Sequence, residues 1–440
     1  MTAGCTPDVG SDPVPEAMEF DTAAVPPRVP EPSHALVNPV THKLDFSVLG
    51  VQVPADCAAQ TQMPRAQCEF YQYLQSLDGF PTVTPVRAPA TAALDPATLT
   101  PENVVVVDAT TGQPVPQVTL SFDVPSRYLY VAPKGRAGWP VGHLFYVGVR
   151  GYAHGVRTVD GREVVGPVPY ALLEHEDSLT CGAAPGEPAP ETCPPYKLLA
   201  QQMDPAAAQE SLAKLEALRV SYQQLHILDV LEGVGGIPRG ELAVFWAFPT
   251  HSGPVAELVP PSPPGVLATG EPVVAEVKAP GTVRVLVNGT LNPTSVVATV
   301  PGKPGSVTLM DLTATAGGDL LNGLPALDVA YDGAAIVITT RQPLVVGHRY
   351  GVFLTRGVTS ADGKALVPGP VSLLLTVRGN IADGTGKSQV STIPDAAAVE
   401  LERNRVALAE LFDNTLIQGI VGLDRAKLAY VYAVDYRGAP

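Results

Sequence analysis

Residues 215–220 read Leu-Glu-Ala-Leu-Arg-Val, and residues 401–406 read Leu-Glu-Arg-Asn-Arg-Val. The match continues without a gap to LAVFWAF at 242–248, which corresponds to LAYVYAV at 428–434. Self-similarity at a long, fixed period is typical of a duplicated structural unit. The sequence therefore predicts two copies of one fold in tandem.

Shorter matches upstream extend both copies. They pair Leu94-Asp95-Pro96 with Leu291-Asn292-Pro293, Val141-Gly142-His143 with Val346-Gly347-His348, and Asp160-Gly161 with Asp362-Gly363. A proline-rich stretch from Pro254 to Pro264 is typical of a linker and separates the copies. We expect a tether at residues 1–32, a first unit at 33–255 and a second unit at 256–440.

The first part of each copy is predicted to be a β-sandwich. Short β-branched or aromatic runs alternate with Gly, Pro and Asp turns at the spacing of a sandwich. The first copy contains VVVVDA (104–109), QVTLSF (117–122), RYLYVAP (127–133) and HLFYVGV (143–149). The second contains VRVLVNG (283–289), SVTLMDL (306–312), AAIVITT (334–340), RYGVFLT (349–355) and VSLLLTV (371–377).

The later part of each copy is predicted to be a helix, at residues 205–232 and 395–418. In the first copy apolar residues recur at steps of three or four, at Leu212, Leu215, Leu218, Tyr222, Leu225, Leu228 and Leu231. Asp204-Pro205 supplies the cap and Gly233 the stop. An apolar stripe must be buried, so each helix is expected to pack on a sheet, followed by a returning strand. The predicted class is mainly β.

Composition narrows the functional classes. The chain has 41 glycines and 46 prolines among 440 residues, a turn-rich composition, while a 45% hydrophobic fraction can supply buried cores. No apolar run approaches the ~20 residues of a membrane-spanning helix. The net charge of -15 repels phosphates, which argues against nucleic acid as a partner.

The five cysteines divide into one single residue and two pairs. Cys5 follows small residues, as at the end of a bacterial lipobox, and a proline-rich segment follows it. We therefore predict lipid attachment at Cys5. The match is incomplete, because Thr2 replaces the branched aliphatic residue of the pattern and no hydrophobic stretch precedes the cysteine. The alternative is a free cysteine. By resemblance to Gram-negative lipoproteins, Thr6 rather than Asp after this cysteine implies the outer membrane.

The remaining cysteines are Cys57 with Cys68, and Cys181 with Cys193. Neither pair has CxxC spacing and no histidine stands at zinc-ligand distance, so we expect two local disulfides rather than a metal site or free thiols. Disulfides imply an oxidising compartment, which fits export.

Several stretches resemble one group of proteins. VPEPSHALVNPVTHKLDF (29–46), LDGFPTVTPVRAPATAALDPATL (77–99), the LExxR helix and AVFWAFPT (243–250) resemble Ig-like modules of bacterial surface lipoproteins and S-layer proteins. They are most similar to the tandem modules at the N-terminus of virulence-factor-type lipases. The resemblance implies two tandem Ig-like β-sandwich units at the cell surface, without the C-terminal hydrolase domain of the lipases.

Motifs for catalysis are weak. No G-x-S-x-G nucleophile turn occurs. Gly384-Thr385-Gly386-Lys387-Ser388 resembles the end of a phosphate-binding loop, but Ile381 replaces the required glycine and Pro394 interrupts the following helix. We interpret this stretch as a loop, with no cofactor.

Three further features have both a functional and a structural interpretation. Glu174-His175-Glu176-Asp177 could bind Ca²⁺ but is interpreted as a solvated linker, because consecutive side chains diverge. His143 and His348 are interpreted as turn histidines bonded to backbone. Trp139 is the candidate for an exposed sugar contact, whereas Trp246 is predicted to be core.

These observations predict a non-enzymatic, lipid-anchored protein of the bacterial outer membrane, facing the cell surface or the periplasm. Its Ig-like modules would serve adhesion, scaffolding or assembly, with a surface protein or glycan as partner. The alternatives are an accessory or substrate-binding module related to secreted lipases, a weak esterase, or a carbohydrate-binding surface protein.

Overall fold

The computed structural model describes residues 16–21, 28–59, 62–84, 86–134, 138–184, 186–201, 203–256, 282–316 and 323–435. Cys5 and the part of the predicted linker after Ala256 lie outside these residues. All structural statements below concern the described part of the chain.

Strands occur throughout the described chain. They are β1 (Glu16–Ala17), β2 (Val86–Pro89), β3 (Val104–Asp108), β4 (Gln113–Pro114), β5 (Val118–Asp123), β6 (Tyr128–Pro133), β7 (Leu144–Arg150), β8 (Val164–Val165), β9 (Leu242–Pro249), β10 (Val255–Ala256), β11 (Thr282–Asn288), β12 (Val307–Asp311), β13 (Leu327–Tyr331), β14 (Ala335–Thr340), β15 (Arg349–Thr355), β16 (Val367–Pro368) and β17 (Leu428–Asp435).

Helices are as abundant as strands. They are α1 (Arg65–Gln75), α2 (Val168–Leu173), α3 (Pro194–Ala200), α4 (Pro205–Gln224), α5 (Ile227–Gly233), α6 (Leu312–Ala316), α7 (Pro370–Thr376), α8 (Asp395–Asp413) and α9 (Thr415–Val421). With 29% helix and 28% strand, the protein is a mixed α and β structure: the expected strands are present in several sheets, but the class is not mainly β.

The chain forms two compact units. The first consists of the segments up to Glu31, Arg87–Tyr130 and Phe145–Ala247, and the second of Pro32–Val86, Val131–Leu144 and Phe248 onward. The predicted boundaries, 33–255 and 256–440, differ from this division, because residues 33–86, 131–144 and 248–255 belong to the second unit rather than the first.

The first unit is built on a four-stranded sheet of order β4-β3-β7-β9. Strand β3 runs antiparallel to β7, with Val104 opposite Val149 and Asp108 opposite Phe145. All five residues of β3 are buried, which explains why its run of four valines does not alternate with polar residues. Strands β2, β6 and β5 form a second sheet, and β1 pairs in parallel with β8.

Two sheets pack face to face in the second unit. They have the orders β13-β14-β11-β10-β16 and β12-β15-β17. One apolar cluster collects side chains from both sheets, including Val285, Ile338, Val352 and Leu354. Phe353, whose side chain points to the opposite face of β15, belongs instead to a cluster with residues of α8 and α9. The second sheet therefore has the other sheet on one face and helices on its other face.

Both predicted long helices are interrupted. Asp204 caps α4 by accepting hydrogen bonds from the amides of Ala206 and Ala207, as expected of an N-cap. His226, with φ of 51°, then separates α4 from α5, so the helix predicted at 205–232 is two helices. The helix predicted at 395–418 is likewise divided into α8 and α9.

Residues 371–377, predicted as a strand, form most of helix α7. Pro370 occupies the first turn, where a missing amide hydrogen has no cost. Leu373, Leu374 and Leu375 are all buried, so the run is apolar on every side and its periodicity could not separate a helix from a strand. Helix α2 has the same place in the first unit, directly after β8.

The predicted tether packs in part. Met18 is fully buried, Val29 is 5% exposed, and Asp21 pairs with Arg28. Residues 16–21 and 28–32 of the tether predicted at 1–32 are therefore packed against the folded chain rather than free of it. The many prolines suggested an unpacked segment, but the apolar side chains between them are able to pack.

Among the described residues, no single helix has the length and apolar character needed to cross a membrane, although the bent pair Asp395–Asp413 and Ile417–Lys427 passes the same test jointly.

Candidate functional site

Both predicted disulfides form. Cys57 bonds to Cys68 and Cys181 bonds to Cys193, with Cα atoms 5.6 Å and 5.9 Å apart. Cys68 lies within α1, and Cys193 precedes the first residue of α3. Each bridge therefore fixes an otherwise irregular segment to a helix.

Two segments that carry the sequence resemblance meet in the second unit. The amide of Phe80 donates to the carbonyl of Pro249 at 3.0 Å, and the amide of His251 donates to the carbonyl of Phe80 at 2.7 Å. The carboxylate of Asp78 accepts a hydrogen bond from the amide of Ser252 at 3.0 Å. It also accepts hydrogen bonds from the side chains of His251 and Ser252. This Asp78–His251–Ser252 group brings together three residue types that are used in catalysis.

The environment keeps Asp78 ionised. Partial burial alone would raise the pKa of its carboxyl, but the hydrogen bonds from His251 and Ser252 outweigh that effect and hold the pKa well below its ordinary value. Gly79 adds a packing requirement, since a Cβ atom there would lie 2.6 Å from the carbonyl carbon of Thr250. The two segments are consequently held in close contact.

The group has the wrong geometry for a hydrolytic triad. In a triad the serine oxygen bonds to one ring nitrogen of histidine, while the carboxylate holds the other. Here Ser252 bonds to Asp78, and His251 also bonds to Asp78 through Nδ1. The hydroxyl of Ser252 therefore lacks the imidazole contact of a triad, and the group links the two segments.

The two predicted turn histidines differ. The amide of His143 donates to Thr250 Oγ1 at 2.9 Å, and the carbonyl of His143 accepts the amide of Thr250 at 2.8 Å. The ring of His348 instead bonds to Asp311 through Nδ1 at 2.7 Å. The amide of His348 donates to the carbonyl of Val345 at 3.2 Å, so His348 is bonded to backbone as expected, while its ring makes the additional bond to Asp311.

The aromatic candidates for sugar binding are buried. Trp139 is 2% exposed and packs edge-on against Phe248, with ring centroids 5.4 Å apart. Its predicted role as an exposed contact is wrong, because Gly-Trp-Pro in a loop does not reveal that the loop is covered. Trp246 is 1% exposed and is core, as predicted.

The acidic stretch 174–177 is held through its backbone. Arg219 donates to the carbonyl of Glu176 at 2.9 Å, and Gln223 donates to the same carbonyl at 3.0 Å. Burial raises the pKa of Glu174 to about 7, which the charge of Arg239 opposes. In the described chain, no group of three or more His, Cys, Asp or Glu side chains has the arrangement of a metal site.

The phosphate-loop-like stretch is occupied by carboxylates of the protein. Asp383 accepts the amides of Thr385 at 2.8 Å and Lys387 at 3.0 Å. The ammonium of Lys387 lies 2.7 Å from Asp395, which also accepts the amide of Ser388. The donors that would bind a phosphate are thus already bonded, and the stretch is a hairpin turn.

The repeated L-E-x-x-R motif forms an ion pair between a buried arginine and a partly exposed glutamate, a role that the sequence pattern alone does not reveal. Glu216 pairs with Arg219 at 2.8 Å, and Glu402 pairs with Arg405 at 2.6 Å. Each carboxylate also accepts one distant amide. The donors are Leu179 for Glu216 at 2.9 Å and Ile381 for Glu402 at 2.8 Å. The exact recurrence of both charged residues was the signal available in the sequence.

Comparisons with known proteins identify no family. No family model and no curated protein matches the chain. Among solved structures, the S-layer protein rSbsC(31-844) is similar at 13% identity with a TM-score of 0.18, over 39% of this chain and 19% of that chain. The N-terminal part of the bacterial S-layer protein SbsC gives 14% identity and a TM-score of 0.16, over 39% and 34%. The matched parts thus span at most about a third of those proteins, and scores this low decide neither fold nor function.

Proposed function

We propose that this protein is a non-enzymatic, lipid-anchored component of the bacterial cell envelope. The observation that carries the proposal is the pair of disulfides, Cys57–Cys68 and Cys181–Cys193. Structural disulfides persist in oxidising compartments outside the cytoplasm and are rare within it. A location outside the cytoplasm, reached by export, is therefore the most consistent with two disulfide-bonded cysteine pairs.

The architecture supports a display role. The second unit packs two sheets face to face, as Ig-like sandwiches do, and helices cover one of the two. The order of elements in the first unit is similar, from β3 through the paired helices α4 and α5 to the returning strand β9. Ig-like units of this kind would present surfaces for adhesion, scaffolding or assembly of the envelope.

Lipidation at Cys5 would hold the first unit near the membrane. The first described strand begins at Glu16, and its backbone bonds to Val165 through the amide of Met18 at 3.0 Å. A fully extended chain spans at most about 3.3–3.6 Å per residue, so the anchor would be at most about 40 Å from β1. A protein anchored this close to the membrane is expected to bind a partner that also belongs to the cell envelope.

To test the anchor, cells that express the full-length precursor are grown with a labelled fatty acid, and the processed protein is purified. We expect label on the wild-type protein and none on a Cys5→Ala variant, with Thr6→Ala as the labelled control. Label retained by Cys5→Ala would overturn the anchor. Turnover of short-chain esters by the purified protein, abolished by Ser252→Ala, would overturn the non-enzymatic assignment.

A further inference from the structure

Residues 32–86 form an arm whose two ends are joined. The amide of Glu31 donates to the carbonyl of Arg87 at 2.8 Å, and the amide of Arg87 donates to the carbonyl of Glu31 at 2.6 Å. Their side chains also form an ion pair at 2.7 Å. Both of these residues belong to the first unit, whereas the arm between them belongs to the second.

The helix of the arm completes an apolar core in the second unit. One cluster contains Ala66, Phe70, Tyr73 and Leu74 from α1 together with Leu373, Leu374, Ala397 and Ala398 from α7 and α8. The backbones come very close at Gly379, where a Cβ atom would lie 2.2 Å from the amide nitrogen of Ala66. Only glycine permits this approach without movement of α1.

The same helix also satisfies backbone amides of the second unit. Glu69 accepts the amides of Arg378 at 2.6 Å and Gly379 at 3.2 Å, and Gln67 accepts the amide of Ser391 at 2.6 Å. These three donors lie in the connection between α7 and α8, outside any helix or strand. Without α1 they would lose these partners, so the connection depends on the arm.

The Cys57–Cys68 bridge holds α1 in the form that docks. Cys68 is part of α1, and Gln72 donates to the carbonyls of Pro54 at 2.6 Å and Ala55 at 3.0 Å. The bridge and this side chain together fold residues 54–57 back onto the helix. A helix of 11 residues is marginal alone in water, so its order depends on such constraints.

We propose that oxidation of Cys57 and Cys68 is the step that completes the second unit. The two thiols form one S–S bond by exchange with an external disulfide, which accepts two electrons and two protons and leaves as two thiols. Before oxidation α1 does not dock stably, and the backbone amides in the connection between α7 and α8 lack their partners on α1. Resting on the proposed export, this would keep the chain incompletely folded until it leaves the reducing cytoplasm.

The first unit offers an internal control. Its own bridge, Cys181–Cys193, lies in the connection between α2 and α3 of the same unit. Loss of that bridge removes a disulfide of nearly equal loop length but leaves the arm intact. The two bridges should consequently affect different units.

Hydrogen exchange of the full chain, resolved by peptide, tests the proposal. In a Cys57→Ser/Cys68→Ser variant we expect the amides of residues 378–391 to exchange at least about tenfold faster than in the oxidised wild type, with α4 unchanged. A Cys181→Ser/Cys193→Ser variant should leave residues 378–391 protected. Unchanged protection in the first variant, or unfolding of both units together, would overturn the proposal.

A variant with both disulfides intact separates docking from the chemistry of the cysteines. Gly379→Ala should displace α1 and speed exchange in residues 378–391 to a similar degree. Gly384→Ala, which meets no atom within 4 Å, is the matched control and should behave as wild type. Full protection in Gly379→Ala would contradict the docking role. The lipid-labelling result at Cys5 is independent of these outcomes, so failure of one proposal is distinguishable from failure of the other.

Discussion

In helix α8 the guanidinium of Arg405 bonds to the carboxylate of Glu402, one turn earlier, at 2.6 Å. Arg405 is 6% exposed, and Glu402 also accepts the amide of Ile381 at 2.8 Å. Burial alone would raise the pKa of Glu402, but its hydrogen bonds hold that pKa below the ordinary value. The pair thus fixes the segment before α8 to the helix, and the first copy repeats the arrangement.

Removing the cation should be costly. We expect Arg405→Ala to lower the free energy of unfolding of the second unit by about 1–3 kcal/mol, because Glu402, whose side chain is 19% exposed, would lose its charged partner. Arg403→Ala, which removes an exposed arginine, should change it by less than about 0.5 kcal/mol. An effect of Arg405→Ala no larger than this control would contradict the structural role.

The chain allows each unit to be followed separately. It has two tryptophans, with Trp139 in the second unit and Trp246 in the first. In a Trp246→Phe background, fluorescence during urea unfolding reports only the second unit, and Trp139→Phe reports only the first.

Glu174 should make the first unit less stable as pH rises. Its pKa of about 7 in the fold lies above the ordinary 4.5, so the folded state binds more protons between these values. The protonated form contributes stability at pH 4.5 that is lost as pH rises through about 7. Because the side chain is partly exposed, we expect the loss to be only about 1–2 kcal/mol.

Urea unfolding at several pH values, followed by Trp246, checks this expectation. Glu174→Gln should remove most of the decline between pH 5 and pH 8, whereas Glu176→Gln, at an exposed position, should retain it. An equal decline in wild type and Glu174→Gln would show that another group is responsible.

Asp78 should have the opposite pH dependence. Its folded pKa is lower than the ordinary value, so its stabilisation is present above about pH 4 and is lost as pH falls through the folded pKa. At pH 7 we expect Asp78→Asn to destabilise the second unit by about 1–2 kcal/mol, since two hydrogen bonds from side chains are weakened.

The measurement is urea unfolding of the second unit at pH 7 and near pH 3, with Glu410→Gln as an exposed-carboxyl control. The Asp78→Asn effect should shrink at the lower pH and the control should show little effect at either. A destabilisation that persists undiminished near pH 3 would assign the effect to packing rather than to charge.

Features set by local sequence were predicted well. Cys181 and Cys193 lie 12 residues apart, so their pairing followed from spacing, and Asp204-Pro205 begins α4 as its capping chemistry requires. The strands around Val104–Asp108 and Arg349–Thr355 were recognisable because valine and aromatic runs favour strands wherever they pack.

Features set by distant packing were not predicted. Residues 32–86 belong to the second unit through contacts such as that of Gln67 with Ser391, which no local pattern reveals. Trp139 is covered by Phe248, far along the chain. The apolar run at 371–377 became a helix because it is buried all round, where the two-residue and 3.6-residue periods are indistinguishable.

We expect this chain to reside in an oxidising compartment outside the cytoplasm, because its two disulfides persist only under such conditions. The direct measurement is alkylation of thiols in intact cells, followed by mass analysis of the purified protein. We predict that Cys57, Cys68, Cys181 and Cys193 remain unmodified until a reductant is added and are all modified afterwards. Alkylation of these four cysteines without reductant would show that the protein resides in a reducing compartment.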